Sequence, residues 1–327
     1  PAYRSVTLLP EPLPPPVPMR RRARLSPGLR RRAARRAELR RDAIGRLQGE
    51  LAGGQPGILI VVQVWAMEHL AEVLPSPRDG DGWRVITAYH GSFTAAAGGR
   101  DLARIQRWCA PTDAFAALTD EDARAFRASG MNNVVTMPNP LPYWPATPAD
   151  GSSNRLLFLG RLAVEKAPEL LLDAWQRMGA DVPQWSLDLV GSGPLRDRVV
   201  ARAAGLPRVS VLPPVTDAQA TMMNAGAFVL PSLAEGSPLA VVEAMACGVP
   251  VVASDCAAGV RELVEDDVTG LLVRPADPGA LARALSRLLS DQDLRTRLAA
   301  AARLRVSDRT REATLDRWER LFVDVLR

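Results

Sequence analysis

Two glutamates, Glu235 and Glu243, stand eight residues apart in the stretch AEGSPLAVVEAMACG, with Ser237-Pro238 between them. Ser followed by Pro is a good N-cap and first-turn pair, so a helix is expected to start here with unpaired backbone N–H groups at its head. A helix head of this kind attracts phosphate. Carboxylates repel phosphate but accept hydrogen bonds from hydroxyls. Two of them bracketing an anion site therefore suit a ligand with phosphates in the middle and hydroxyl-bearing sugars at both ends, which is the layout of a nucleotide-sugar. Gly236, Ser237, Pro238 and Leu239 are the expected binding positions, with the N–H groups near Gly236 to Leu239 as backbone donors.

Other residues point the same way. Lys and Arg together number 41, and only Lys166 is a lysine. It lies in GRLAVEKAPELLL, five residues after Arg161, and both follow the apolar run RLLFLG. A second run, SLDLVG, ends in Gly191-Ser192-Gly193-Pro194. His90 follows WRVITAY and precedes Gly91-Ser92, which places it at the carboxyl end of a strand, where active-site histidines act as acids, bases or hydrogen-bond donors. His69, inside the helical EHLAEVL, reads as a bystander. No metal site is expected. Asp79-Gly80-Asp81 fits a turn, Asp291-Gln292-Asp293 fits a helix cap, and the three scattered cysteines make no zinc pattern.

The elements that must position these residues alternate. From Arg155 onward, RLLFLG, SLDLVG, VSVLP, AFVLPS, VPVVAS and TGLLVRP read as strands, each followed by a helical period. The helical partners include APELLLDAWQRM, PLAVVEAMACG, VRELVED and PGALARALSRLLS. Repeated strand-helix units predict a parallel sheet covered by helices on both faces, a Rossmann-like domain that binds ligands beyond the carboxyl ends of its strands. The first half repeats the theme: RSVTLLP, GILIVVQVW, WRVITAYH, DAFAALT and NVVTMP read as strands between helical segments. The expected division is an N-terminal domain over 1–148, a C-terminal domain over 149–306 and a final helix over 307–327. The boundary falls in NPLPYWPATPADGSSN, where Pro, Gly and Ser remove all periodicity.

PSLAEGSPLAVVEAMACGVPVVAS, together with GRLAVEKAPELLLDAW and LVGSGP, closely resembles the retaining GT-B glycosyltransferases of family 4. The resemblance implies an α/β fold of two Rossmann-like domains facing a cleft, with a final helix that crosses back to the first. It implies that Glu235 contacts the donor sugar, Glu243 the ribose, Arg161 and Lys166 the diphosphate, and His90 the reacting sugar and acceptor. The activity implied is transfer of a hexosyl group from a nucleotide-sugar to an acceptor hydroxyl with retention of configuration, without a metal or other cofactor. Three departures stand out. Ser237-Pro238 replaces the usual Phe-Gly, Pro213-Pro214 lies where a Gly commonly sits beside the base, and the Gly-rich loop after the family's first strand is missing, as is that strand. That last departure keeps open an alternative, a non-catalytic nucleotide-sugar-binding or scaffold protein of the same fold. An epimerase of this shape would need more acid-base groups around the sugar.

Bulk properties bound the partners. The chain has 327 residues, no apolar run near the roughly 20 needed to span a bilayer, and no leader pattern, so a cytoplasmic protein is expected. Net charge is only +5, yet Met19–Arg41 holds eleven arginines against one glutamate. Such a segment is either a solvated helix face or a contact for anionic lipid or a polyanionic acceptor, so peripheral membrane contact through Arg20–Arg41 is an expectation. No aromatic interleaves those arginines, which argues against nucleic acid. The acceptor, whether glycan, lipid-linked, polyanionic polymer or small molecule, is not specified by the motifs.

Overall fold

The computed structural model describes residues 27–53, 57–73, 82–178 and 180–327. The expected strand RSVTLLP, the proline-rich EPLPPPVP, arginines 20–24 and the Asp79/Asp81 turn lie outside the described residues. The described residues form two compact units, one built from those up to Ala88 with Ala103–Phe115, the other from Tyr89–Leu102 and Ala116–Val325.

In chain order, the first half gives α1 (Pro27–Gly53), β1 (Ile58–Val61), α2 (Val64–Val73), β2 (Arg84–Tyr89), α3 (Phe93–Gly98), α4 (Asp101–Trp108), β3 (Ala114–Ala117), α5 (Asp120–Ala128) and β4 (Val134–Thr136). Its strands lie in the order β1-β2-β3-β4, with β1 parallel to β2 and Ile58 opposite Arg84. Two local expectations are corrected here. GILIVVQVW is extended only to Val61, and its end starts α2, because Val64, Met67 and Leu70 recur every three residues and bury one helical face. The short α3 was not foreseen; Ser92 caps it, its Oγ accepting from the Ala95 N–H at 3.2 Å.

The second half gives β5 (Arg155–Leu159), a 3₁₀ turn at Val164–Lys166, α6 (Pro168–Met178), β6 (Ser186–Val190), α7 (Arg196–Ala203), β7 (Val209–Leu212), α8 (Ala218–Met223), β8 (Ala227–Leu230) and α9 (Leu239–Ala246). It continues through β9 (Val251–Ser254), α10 (Ala258–Arg261), β10 (Leu271–Val273), α11 (Pro278–Ser290), α12 (Gln292–Arg305) and α13 (Arg311–Leu326). The sheet order is β10-β9-β8-β5-β6-β7, and every pairing is parallel. Successive strands step outward one way from β5 to β7 and the other way from β8 to β10. The switch point therefore falls between β5 and β8, where a doubly wound sheet opens a crevice at its carboxyl edge.

Alternate strand residues face opposite layers, as the pleat requires. Leu156, Phe158, Leu187 and Leu189 join a core with α6, α11 and the start of α12, while Leu157, Val190, Phe228 and Leu230 join one with α9 and α10. The helix expected over VRELVED is cut to the four residues of α10; after it the chain turns, the Glu265 N–H donating to Thr269 Oγ1 at 2.8 Å.

Trp185 closes the first core at the amino edge of β6. It is fully buried, donates from Nε1 to the Leu289 carbonyl at 3.0 Å, and carries the Arg295 guanidinium over its ring at 5.1 Å. Trp185→Ala is expected to cost about 3–5 kcal/mol in chemical denaturation, from lost burial and the cavity left behind. A loss well under 1 kcal/mol would mean that this edge does not belong to the cooperative core.

Candidate functional site

The switch point brings two expected residues together. Lys166 comes from the 3₁₀ turn after β5 and Glu235 from the loop after β8, and Lys166 Nζ donates to Glu235 Oε1 at 2.6 Å. Ser232 Oγ donates to the same oxygen, also at 2.6 Å. The Glu235 side chain is only 8% exposed and that of Lys166 26%, so the pair is largely withdrawn from water. Among the described residues, no donor reaches Oε2. The turn that presents Lys166 is fixed at both ends: its N–H donates to the Ala163 carbonyl at 3.1 Å, and the Glu165 carbonyl accepts from the Leu233 N–H at 2.8 Å. Arg161 is exposed and 3.6 Å from Glu165, a contact worth little in water.

Backbone packs on backbone around this pair. A Cβ on Gly191, whose φ is +149°, would lie 1.9 Å from the Gly160 carbonyl oxygen, and one on Gly193 would lie 2.4 Å from that of Leu162. Only glycine admits this approach. Gly236 is similarly confined: a Cβ there would lie 2.3 Å from the His90 carbonyl oxygen, and one on Gly259 would lie 2.0 Å from the Gly236 carbonyl oxygen. The His90 backbone thus meets the Glu235 loop, while its side chain is exposed. A depression of about 280 Å³ borders Arg161, Gly191 and Ser192 and reaches Pro214 and Val215. A larger cavity of about 510 Å³, lined by Trp144, Gly226, Pro250 and Arg303 among others, opens at the amino ends of the strands, the edge away from Lys166 and Glu235.

The start of α9 differs from expectation. Pro238, not Ser237, holds the capping position, and no side chain caps the helix; the Pro238 carbonyl accepts from the Val241 and Val242 N–H groups at 3.1 and 3.3 Å. A proline at N-cap keeps its carbonyl as first acceptor, so it does not need the serine. Ser237 Oγ is left buried with no partner, and among the described residues the N–H groups of Gly236, Ser237, Leu239 and Ala240 meet no acceptor. Pro238 itself offers only a carbonyl.

Glu243 projects from α9 without a hydrogen-bond partner among the described residues, and burial alone raises its pKa above the ordinary carboxylate value. Neighbouring groups feel the same burial. The Tyr143 hydroxyl, beside the Cys247 thiol and with no nitrogen or oxygen partner among the described residues, is held neutral first by burial and then by the Glu243 charge. Burial pushes the Cys247 thiol up to about 11, and burial with the Glu235 charge pushes Cys256 up to about 12. Sequence reasoning missed Ser232, Tyr143, Cys256 and Gly259. Of these, only Ser232, three residues before Glu235, carried a local signal.

Residues 153–291 match the family described as Glycosyl transferases group 1. Among similar proteins, an uncharacterised glycosyltransferase of Haemophilus influenzae is 30% identical over 192 residues, covering 58% of this chain and 54% of the relative. A D-inositol 3-phosphate glycosyltransferase of Salinispora tropica is 36% identical over 183 residues, covering 52% and 36%. The chain spans about half the length, or less, of such relatives. The solved structure of Anabaena Alr3699/HepE in complex with UDP superposes with a TM-score of 0.72 at 20% identity, covering 88% of this chain and 82% of that one. The pneumococcal O-GlcNAc transferase GtfA in complex with UDP and GlcNAc gives 0.73 at 17% identity, covering 87% and 60%. Likeness at this level shows the fold, the GT-B type with its two sheets.

The raised pKa of Glu243 has a definite sign. The folded chain holds that proton more tightly than the unfolded chain, so native stability is greater below the ordinary value of 4.5 and falls as pH rises through the raised native one. Glu243→Gln should flatten this part of the pH dependence and leave the melting temperature at pH 7 equal to or above that of the parent. A clear drop at pH 7 would mean that the carboxylate has a stabilising partner in the native state.

Proposed function

We propose that this chain carries the donor site of a retaining family 4 glycosyltransferase that moves a hexosyl group from a nucleotide-sugar to an acceptor hydroxyl without a metal. The observation that carries this reading is the Lys166–Glu235 pair at the head of α9, beside N–H groups that have no acceptor of their own. Charge develops on the leaving diphosphate as the glycosidic bond breaks. Fixed donors already aimed at that charge stabilise the transition state without reorganising. Lys166, Arg161 and the N–H groups of Gly236, Ser237 and Leu239 take this part, with Gly191 and Gly193 letting the phosphates approach the strand ends. Glu235 Oε2 accepts from sugar hydroxyls, the desolvated Glu243 from those of the ribose, and His90 contacts the reacting sugar and the acceptor. The two neighbours solved with UDP favour a uridine diphosphate sugar as donor.

A role at an anionic surface is part of the same proposal. No helix among the described residues is long and apolar enough to cross a membrane. The helix α1 instead exposes Arg31, Arg32, Arg41 and Arg46, which suits peripheral contact with anionic lipid or a polyanionic acceptor. Co-sedimentation with phosphatidylserine vesicles, lost at high salt and absent with neutral vesicles, is expected. Equal binding to both would remove the electrostatic contact.

The test of the donor site is thermal stabilisation by a panel of UDP-, GDP-, ADP- and TDP-sugars, followed by a transfer or donor-hydrolysis assay with the anomeric configuration of the product read by NMR. Lys166→Ala is expected to lower turnover by about 100-fold or more while the fold persists. Glu235→Gln is expected to free the ammonium group and bind the bare nucleoside diphosphate up to about fivefold more tightly, while transfer falls. Near-normal turnover in Lys166→Ala would remove Lys166 from the site, and nucleotide binding without any transfer or hydrolysis would favour a scaffold.

A further inference from the structure

The His90 turn has a second support, remote from Lys166 and Glu235. Helix α5 begins with its own cap: Thr119 Oγ1 accepts from the Asp122 N–H at 3.0 Å and donates to Asp122 Oδ2 at 2.7 Å. Its first two N–H groups would ordinarily go to water. Instead, Glu262 Oε1 accepts from Asp120 at 2.7 Å and Glu121 at 3.3 Å, although Glu262 lies 142 residues further along the chain. A carboxylate at a helix head also gains from the helix dipole.

From there the contacts run to His90. Asp122, buried and locked by Thr119, accepts at Oδ1 from the Phe93 N–H at 2.7 Å, three residues beyond His90. Phe126 of the same helix packs edge-on against both Phe93 and Tyr89, at centroid distances of 5.0 and 6.2 Å. On its other side Glu262 follows α10, whose Gly259 lies against the Gly236 carbonyl, and Gly236 lies against His90. The contacts form a closed ring: Glu262, α5, Asp122, the His90 turn, Gly236, Gly259 and back to Glu262. Arg309 stands 3.7 Å from the Glu262 carboxylate, and Arg305 donates to its carbonyl at 2.6 Å, which fixes the residue from behind. The neighbouring Arg261 also reaches α5 through Glu121 at 2.7 Å, but both side chains are about half exposed, so that pair contributes little.

We infer that Glu262 is a positioning residue: by holding the head of α5 it sets the His90 turn against the Gly236–Ser237 backbone. The effect on chemistry rests on the proposed donor site; the positioning itself does not. A shift of an ångström or less at such a turn changes turnover far more than binding.

The test is hydrogen exchange on the full chain for the parent, Glu262→Ala and Glu262→Gln. In Glu262→Ala the amides of Asp120 and Glu121 and those of Phe93–Ala96 should exchange about tenfold faster, with β5, β6 and β8 unchanged. Glu262→Gln, which keeps one acceptor oxygen but no charge, should fall between. With a donor in hand, Glu262→Ala should lower kcat about tenfold while nucleotide affinity stays within about twofold. Faster exchange confined to Asp120 and Glu121, or spread evenly over the sheet, would overturn the inference, as would a parallel loss of nucleotide affinity. If the parent binds no nucleotide-sugar and transfers nothing, the donor-site reading fails, while the exchange at Phe93–Ala96 still decides the positioning.

Discussion

Main chain lying directly on main chain is the constraint on which this site depends. At Gly191 the strand leaving β6 crosses the Gly160 carbonyl with no room for a Cβ, and at Gly236 one backbone lies between the His90 and Gly259 segments. A side chain at either place would push the loops apart by more than an ångström. In the proposed donor site such crowding has a chemical use. Backbone N–H groups reach a ligand only where no side chain intervenes, and the head of α9 offers several that have no acceptor.

Polar groups left without partners cost stability, and several of them lie here. Ser237 Oγ is buried and unpaired, the Tyr143 hydroxyl likewise, and Glu243 is desolvated with no donor. A core designed only to be stable would satisfy these groups or replace them. The thiols around them are inert by contrast, since burial raises Cys247 and Cys256 well above neutral pH and keeps them protonated. Thr314 Oγ1 on α13 is also buried without a partner, but the groups here are ones that can meet the hydroxylated, anionic ligand of the proposed donor site. The sheet beneath is packed without such defects, its Leu156, Phe158, Leu187 and Phe228 fully buried.

Much of this was legible in the sequence, for a physical reason: strands and helices are set by periodicities of two and 3.6 residues that neighbouring residues record. The alternation after Arg155 was read correctly from RLLFLG to PGALARALSRLLS. Errors fell where tertiary contact overrode the local pattern. VRELVED has a helical period, yet α10 stops after four residues, where the chain turns toward Thr269; Ser237 has the chemistry of a cap, but Pro238 occupies the position. The site divides in the same way. Lys166, Glu235 and Gly236 lie in compact motifs and were identifiable, whereas Glu262 and Gly259 act on residues far away in sequence, and no local pattern records such a contact.

The solitary lysine in a chain of arginines has a geometric explanation in the pair it makes. Glu235 Oε1 already accepts from Ser232, and Lys166 shares that single oxygen at 2.6 Å. An ammonium is a point charge with three donors, so one hydrogen spent on Oε1 leaves two, which the proposed donor site would give to a phosphate, and Oε2 stays open, in that proposal to a sugar hydroxyl. A guanidinium is a planar fork that matches both oxygens of a carboxylate at once. In its place an arginine would occupy Oε2 as well, turning the carboxylate and its own donors toward each other and away from the proposed ligand. Exposed positions such as Arg161 carry no such restriction, and there the chain keeps arginine.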